Sequence, residues 1–407
     1  MSDDVKVPAR EGQVGLFIYC LAIFLFVYSW LSVNIYLPIL PELENILGTS
    51  PNIAQLTVTG FLIGFSFSQL IWGPLSDRFG RRPILIAGLA ISMTGAALTG
   101  FTSDITMFFA ARLLESIGAG VAPVLARSIL SDSLERPQVA VVMAYAAMTV
   151  ALVPAVAPII GGYLDLLMSW RSIFFFLAFV GMTLFFSCLF RLEETNKNKV
   201  ASLRMGAAIT GYATILCNRR FLGYLFAYSL AFGSLIGYYS EASFLFVTDL
   251  NYKPHQYGFL LIFNAACYVA GSFVSRMLVP RIGSDRVILL AIAAFIIAAS
   301  VFFIFDVLIE MSTFSVLFPA CIFIFGCALV SPASNAGAMT IFRDKAGAST
   351  AVIGFSTATG GALFNAGVST LHFSALWELG VYVAVVALLS ILSFGLLLRS
   401  KDTQSEE

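Results

Sequence analysis

Three ionisable side chains lie inside long apolar stretches of this 407-residue chain, where an unpaired charge is costly and marks a functional position by default. Two of them, Arg112 and Glu115, occur in Ala111-Arg112-Leu113-Leu114-Glu115-Ser116-Ile117-Gly118-Ala119-Gly120. A spacing of three places both on one helix face, within reach of each other. The third, Glu241, occurs in Gly237-Tyr238-Tyr239-Ser240-Glu241-Ala242-Ser243-Phe244. A carboxyl that alternates between apolar surroundings and the neighbourhood of an arginine can take up a proton in one and release it in the other. Glu115, Glu241 and Arg112 are therefore the expected proton-coupling residues. The plainer readings are a static ion pair for Arg112 and Glu115, and for Glu241 a cavity acid that selects cationic groups.

The elements that must position these groups are membrane helices. The chain is 59% hydrophobic and 11% charged, with a mean hydropathy of +0.91, whereas soluble domains are about 25% charged. One crossing needs about 20 apolar residues. Twelve such stretches, from residues 15–37 to 377–399, use nearly the whole length and leave no room for a separate soluble domain. A formal net charge of zero gives no nucleic-acid signal. The six cysteines lie in or beside apolar segments without a CxxC pair, and His255 and His372, in expected outer loops, are too few and too far apart for a metal site. No cofactor is expected. No HExxH, no GxSxG and no Walker loop appears, so neither an intramembrane enzyme nor an ATP-driven pump is expected. Met1 to Gln13 is polar and has no cleavage motif, so no signal peptide is expected.

Charge placement orients the spans. With the N-terminus cytoplasmic, all of the 23 Lys and Arg residues except Arg112, Arg171 and Lys253 fall in cytoplasmic segments or the adjoining helix ends, Arg127 among them. The positive-inside rule then puts both termini in the cytoplasm and requires an even number of spans. The longest polar stretch divides the chain into an N-terminal bundle of six helices at 1–191, a central cytoplasmic loop at 192–220, and a C-terminal bundle of six at 221–407. Both halves carry a basic loop after their second span, Asp77 to Arg82 and Arg281 to Arg286, as an internally repeated transporter predicts.

The first of these loops reads Gly73-Pro74-Leu75-Ser76-Asp77-Arg78-Phe79-Gly80-Arg81-Arg82-Pro83. Gly73 is expected to permit close helix approach, Asp77 to pair with arginine or sit at a helix N-terminus, Gly80 to make the turn, and Arg78, Arg81 and Arg82 to anchor at the interface. Together they read as a cytoplasmic latch. Span five holds Pro154-Ala155-Val156-Ala157-Pro158-Ile159-Ile160-Gly161-Gly162, whose prolines and glycines suit close packing and bending.

The loop resembles the signature loop of the major facilitator superfamily, and the span-five run resembles the antiporter motif of its exporters, with Ala157 where glycine is common. Arg219-Arg220-Phe221-Leu222-Gly223-Tyr224, Tyr257-Gly258-Phe259, Ala270-Gly271-Ser272, Trp170-Arg171-Ser172-Ile173-Phe174 and Tyr36-Leu37-Pro38 are similar to the Bcr/CflA drug-resistance group. The resemblance covers nearly the whole chain. It implies an all-α membrane protein of twelve helices in two pseudo-symmetric bundles, a central cavity, and proton-driven export of small amphipathic molecules such as drugs or a dedicated metabolite. The alternative is a nutrient importer or facilitator without proton antiport. A monomer in a bacterial inner membrane is expected.

Four residues depart from the pattern. Asn34 stands where the group carries a span-one acid, and an amide cannot bind and release a proton. Glu115 replaces a glutamine, Ser116 a glycine, and Glu241 a small residue. The proton site is therefore expected to have moved to Glu115 or Glu241. Tyr28, Asn34, Tyr36, Gln55, Thr59, Tyr145, Tyr238, Asn264, Asn335 and Asn365 are candidates to line the cavity, or else to hydrogen-bond helices together.

Overall fold

The computed structural model describes residues 9–197, 199, 205–341, 346–371, 373 and 375–399. Among them the chain is helical and contains no strand. α1 (Ala9–Asn34) continues through a 3-10 turn, Leu37–Ile39, to the short α2 (Leu43–Leu47). α3 (Pro51–Phe79) and α4 (Arg81–Phe101) follow; α5 (Ile105–Ala119) and α6 (Val121–Ser133) form one span broken at Gly120. α7 (Arg136–Leu167) and α8 (Trp170–Arg191) complete the first half. After α9 (Met205–Leu216) come α10 (Arg219–Phe244, prolonged by a π-turn at Leu245–Asp249), α11 (Pro254–Ile282), α12 (Ser284–Leu308), α13 (Thr313–Ile341), α14 (Ala346–Leu371) and α15 (Leu376–Arg399).

Eleven spans among the described residues are long and apolar enough to cross a membrane, and α7, bent by 44° near Ala151, makes a twelfth. The bend falls where the ring of Pro154 removes the hydrogen bond to the carbonyl four residues back. Local signals set the helix starts. Ser50 and Asp104 accept backbone N–H bonds from Ile53 and Met107, and Asn218 does so from Phe221. Outward-facing apolar side chains such as Phe101, Phe190 and Val307 are three-quarters or more exposed. In lipid that is their favourable state.

Crossings alternate, so the ends of α1, α7, α10 and α14 and the starts of α3, α8, α11 and α15 share one end of the bundle, opposite the start of α1 and the end of α15. The halves repeat each other. α3 packs on α14 and α7 packs on α11, so the second span of each half lies against the fifth of the other. The turns after those second spans are also equivalent: Gly80 (φ +107°) joins α3 to α4, and Gly283 (φ +84°) joins α11 to α12. A positive φ is open to glycine at little strain. The segment 192–220 is not loop throughout. The twelve-residue α9 occupies its centre and lies against α14.

Candidate functional site

Arg112 and Glu115 lie on one face of α5 and form a completed ion pair. Arg112 Nη1 donates to Glu115 Oε2 at 2.7 Å, and Nη2 donates to the Ser32 carbonyl of α1 at 2.9 Å. Neither side chain is more than 1% exposed. The guanidinium also stands 4.3 Å from the ring centroids of both Tyr36 and Phe61, contacts worth about 0.5–2 kcal/mol each. Gly95 of α4 makes this packing possible: a Cβ there would sit 2.6 Å from Glu115 Cα. Gly118 does the same against Ser92, at 2.7 Å from its Cα. All of the pair's partners belong to the first half.

Glu241 is held differently. Near the far end of α10 it is 2% exposed. Its Oε2 accepts from Gln55 Nε2 of α3 at 2.7 Å, and its Oε1 accepts from the Phe373 N–H at 2.8 Å. Asn365 of α14 then donates to the Gln55 carbonyl at 2.8 Å and to Thr59 Oγ1 at 2.9 Å. One carboxylate thus ties α10 to a helix of the other half and to the segment between α14 and α15. Arg112 makes no ion pair with it; that guanidinium is spent on Glu115.

The span-five motif closes the same end. A Cβ on Gly161 would collide with the Ile35 carbonyl, and one on Gly162 would fall on the His255 backbone at the start of α11. A Cβ on Gly258 of α11 would in turn sit 2.8 Å from the Ile159 Cα. Pro158 immediately precedes these contacts, one turn beyond Pro154 in α7.

At the opposite end the latch is assembled. Arg81 Nη1 donates to Asp77 at 2.6 Å and to Ser76 Oγ at 2.7 Å, and Arg81 Nε donates to Asp132 of α6 at 2.9 Å. Arg82 Nη2 donates to the Leu189 carbonyl of α8 at 2.8 Å, while the Arg81 N–H donates to Glu194 at 2.8 Å. Gly80 leaves the room that the Glu194 carboxylate fills. Arg78 lies over the Phe79 ring, 5.0 Å from its centroid.

Several expectations are corrected. Gly73 is not a close-approach point, because a Cβ there would meet nothing nearer than Val124 at 3.9 Å. Of the two alternatives for Asp77 the structure has the first, a pair with Arg81 near the end of α3. Asn34 faces no coupling residue; its Nδ2 donates at 2.8 Å to the Trp30 carbonyl and ties the last turn of α1 to itself. Tyr145 is 58% exposed on α7, and its one recorded bond runs from Thr149 to its backbone carbonyl. His255 belongs to the first turn of α11 rather than a loop, and His372 lies outside the described residues.

The other polar candidates are placed as follows. Tyr36 OH shares a 3.2 Å bond with Thr57, and Tyr28 OH a 2.8 Å bond with Ser92. Tyr238 packs on Tyr239 and Phe323 beside Asn264, whose carboxamide oxygen accepts from Cys321 at 3.8 Å. Asn335 is half-buried beside Tyr228. Sequence reasoning missed Phe373, since a backbone donor leaves no residue-type signal. It also filed Arg127 with the helix-end arginines, although that residue lies six positions inside the end of α6.

Comparison with known proteins fits this geometry. The Major Facilitator Superfamily profile matches residues 21–365. The chain belongs to that family of transporters and is a multi-pass membrane protein of its fold. It is 26% identical to the bicyclomycin resistance protein homolog of Haemophilus influenzae over 89% of this chain and 91% of that one. It is 26% identical to multidrug resistance protein D of Escherichia coli over 94% and 95% of the two chains. With the chloramphenicol resistance protein of Pseudomonas aeruginosa it shares 30% over 88% and 85%. In fold it is similar to the xylose transporter XylE of E. coli in a partially occluded inward open conformation, with a TM-score of 0.69, 13% identity, and 92% and 97% of the chains covered.

Proposed function

We propose that this chain is a proton-coupled exporter of small amphipathic molecules in a bacterial inner membrane, working as a monomer by alternating access. Its termini are then cytoplasmic, and its moving bodies are residues 1–191 and 221–407, joined by 192–220. The names of the relatives support export of drug-like compounds.

The observation that carries the coupling is the bridge from Glu241 to Gln55 and Phe373. An ionised carboxylate accepts from both donors and holds the far end shut. A protonated one loses its charge and becomes the weaker acceptor of both bonds, which loosens the bridge. Opening of the far end then goes with proton uptake there. Closing goes with release. Arg112 and Glu115 contribute a fixed anchor beneath this gate, and Tyr36, Gln55 and Asn365 frame it. The loop from Asp77 to Arg82 latches the opposite end, where Arg81 joins α3, α4 and α6.

The test is proton movement in proteoliposomes under an imposed pH gradient, with amphipathic cations, neutral antibiotics and siderophores added in turn. A compound that dissipates the gradient with wild type and with Glu115→Gln, but not with Glu241→Gln, supports the reading. Full coupling in the double variant Glu115→Gln/Glu241→Gln sinks it. One observation favours a second reading, a facilitator: Asn34 offers no proton site in span one, and its amide is bound to its own helix. In that case a labelled solute equilibrates while no compound moves protons.

A further inference from the structure

Arg127 is a charged side chain of the spans that the scheme above does not use. It lies on α6 more than a helical turn inside the last residue, and it is only partly open. Its guanidinium stands 5.3 Å from the ring centroid of Phe26 on α1. Arg81 and Arg112 each have a carboxylate, but Arg127 forms an ion pair with no described acid. Among the described residues, the Tyr228 hydroxyl of α10, in the other half, is the ionisable group that stands within electrostatic reach of it.

Tyr228 stands beside Asn335 of α13 and near Tyr268 of α11, and its ring packs 6.2 Å from that of Phe232. These side chains are half-buried. A guanidinium so enclosed has lost much of its hydration without regaining a partner, which is unfavourable for the empty protein. An anion that reaches it restores two charge-assisted hydrogen bonds in one plane.

We propose that Arg127, with Tyr228 beside it from the other half, is an anion-recognising subsite for an amphipathic molecule that carries a carboxylate, sulfonate or phosphate beside an aromatic ring. This deepens the exporter reading and rests on it for direction, since the bound anion is then cargo. The guanidinium takes the charged head. The half-buried Phe232 offers a ring on which an apolar body can lie. Because Arg127 and Tyr228 belong to different halves, the subsite forms only while those halves are close at this depth.

The experiment is binding, read independently of transport. The full chain in phosphatidylcholine nanodiscs is titrated with dansylglycine and with its uncharged amide, which share one ring system. Wild type is expected to bind the carboxylate about tenfold more tightly, Arg127→Gln to bind both alike, and Arg127→Lys to keep part of the preference. A parallel measurement on wild type alone covers the case in which the variants do not fold. Phenylglyoxal labelling of the Arg127 peptide, read by mass spectrometry, should fall with dansylglycine and not with the amide.

Equal binding of the two probes by wild type overturns the subsite, as does a preference retained in Arg127→Gln. Nanodiscs of phosphatidylglycerol separate the sources of anion: a site for free solutes keeps its preference there, and a headgroup site is filled by lipid and loses it. If the preference is present but neither probe is moved by a proton gradient, the exporter reading fails and the anion subsite stands.

Discussion

Two buried glutamates show opposite uses of a carboxylate in a membrane. Glu115 is paired with Arg112 three residues away on the same helix, and every partner of that pair lies in the first half. Glu241 pairs with no cation among the described residues, and its two donors come from the other half and from a chain segment between two other helices. The first arrangement is unaffected by relative motion of the halves. The second cannot survive it. A charge satisfied within one rigid body is an anchor; one satisfied across two bodies reports whether they touch.

The contrast can be broken most sharply at Glu115. Replacing it with alanine strands Arg112 in a sealed site, which should cost about 3–5 kcal/mol. Loss of monodisperse protein, or a large fall in melting temperature, is the expected result. A variant as stable as wild type would mean that the pair is no anchor.

Next comes Gly161→Val. It places a branched side chain against the Ile35 carbonyl at the far end. Transport should fall at least tenfold while the protein still purifies as a monodisperse species, because the contact closes the bundle rather than building a core. Unchanged transport would show that the far end need not close this tightly.

Glu241→Gln should preserve the fold, since the amide can still accept one of the two bonds, and melting should shift by less than about 1 kcal/mol of stability. Proton-coupled movement should nevertheless be lost. A stability loss as large as that of Glu115→Ala would erase the distinction between anchor and gate.

A smaller effect concerns Glu42, in the segment between the first two spans. Burial pushes its carboxyl above the ordinary range, with the neighbouring Asp165 adding to the effect. Its ionised form is therefore disfavoured in the folded protein. Stability from this group is greatest when it is protonated and declines as pH rises through its folded pKa. Glu42→Gln should raise the melting temperature at pH 8 and leave it unchanged at pH 4. An equal gain at both values would assign the effect to packing instead.

The smallest expected change is Gly73→Ala, within about 0.5 kcal/mol, since no atom stands nearer than 3.9 Å to the added carbon. A severe transport defect there, with normal folding, would mean that α3 and α6 approach more closely in another state of the cycle.

Composition and periodicity made the fold legible. Only membrane spans accommodate so little polar surface, and alternating basic segments called for an even number of them. Local patterns also read correctly where the chemistry is local. Arg112 and Glu115 must meet if their segment is helical, because a spacing of three puts them on one face. Gly80 reads as a turn because the next helix starts there with positive φ. Contacts between distant segments had no such signal. The bond from Gln55 to Glu241 spans 186 residues, and nothing in either neighbourhood names the other. Asn34 drew notice by its type, yet its amide serves only its own helix. Arg127 was legible as a positive charge near a helix end, which is all that topology requires of it. Depth, enclosure and want of a carboxylate are properties of the packed bundle. The sequence by itself determined which segments cross the membrane and which charges enter it, since both follow from the free energy of moving each residue from water to hydrocarbon. Only the tertiary structure decided which of those charges is paired within its own half, bonded across the two halves or unpaired among the described residues, because that depends on which helices pack together and how close their backbones come.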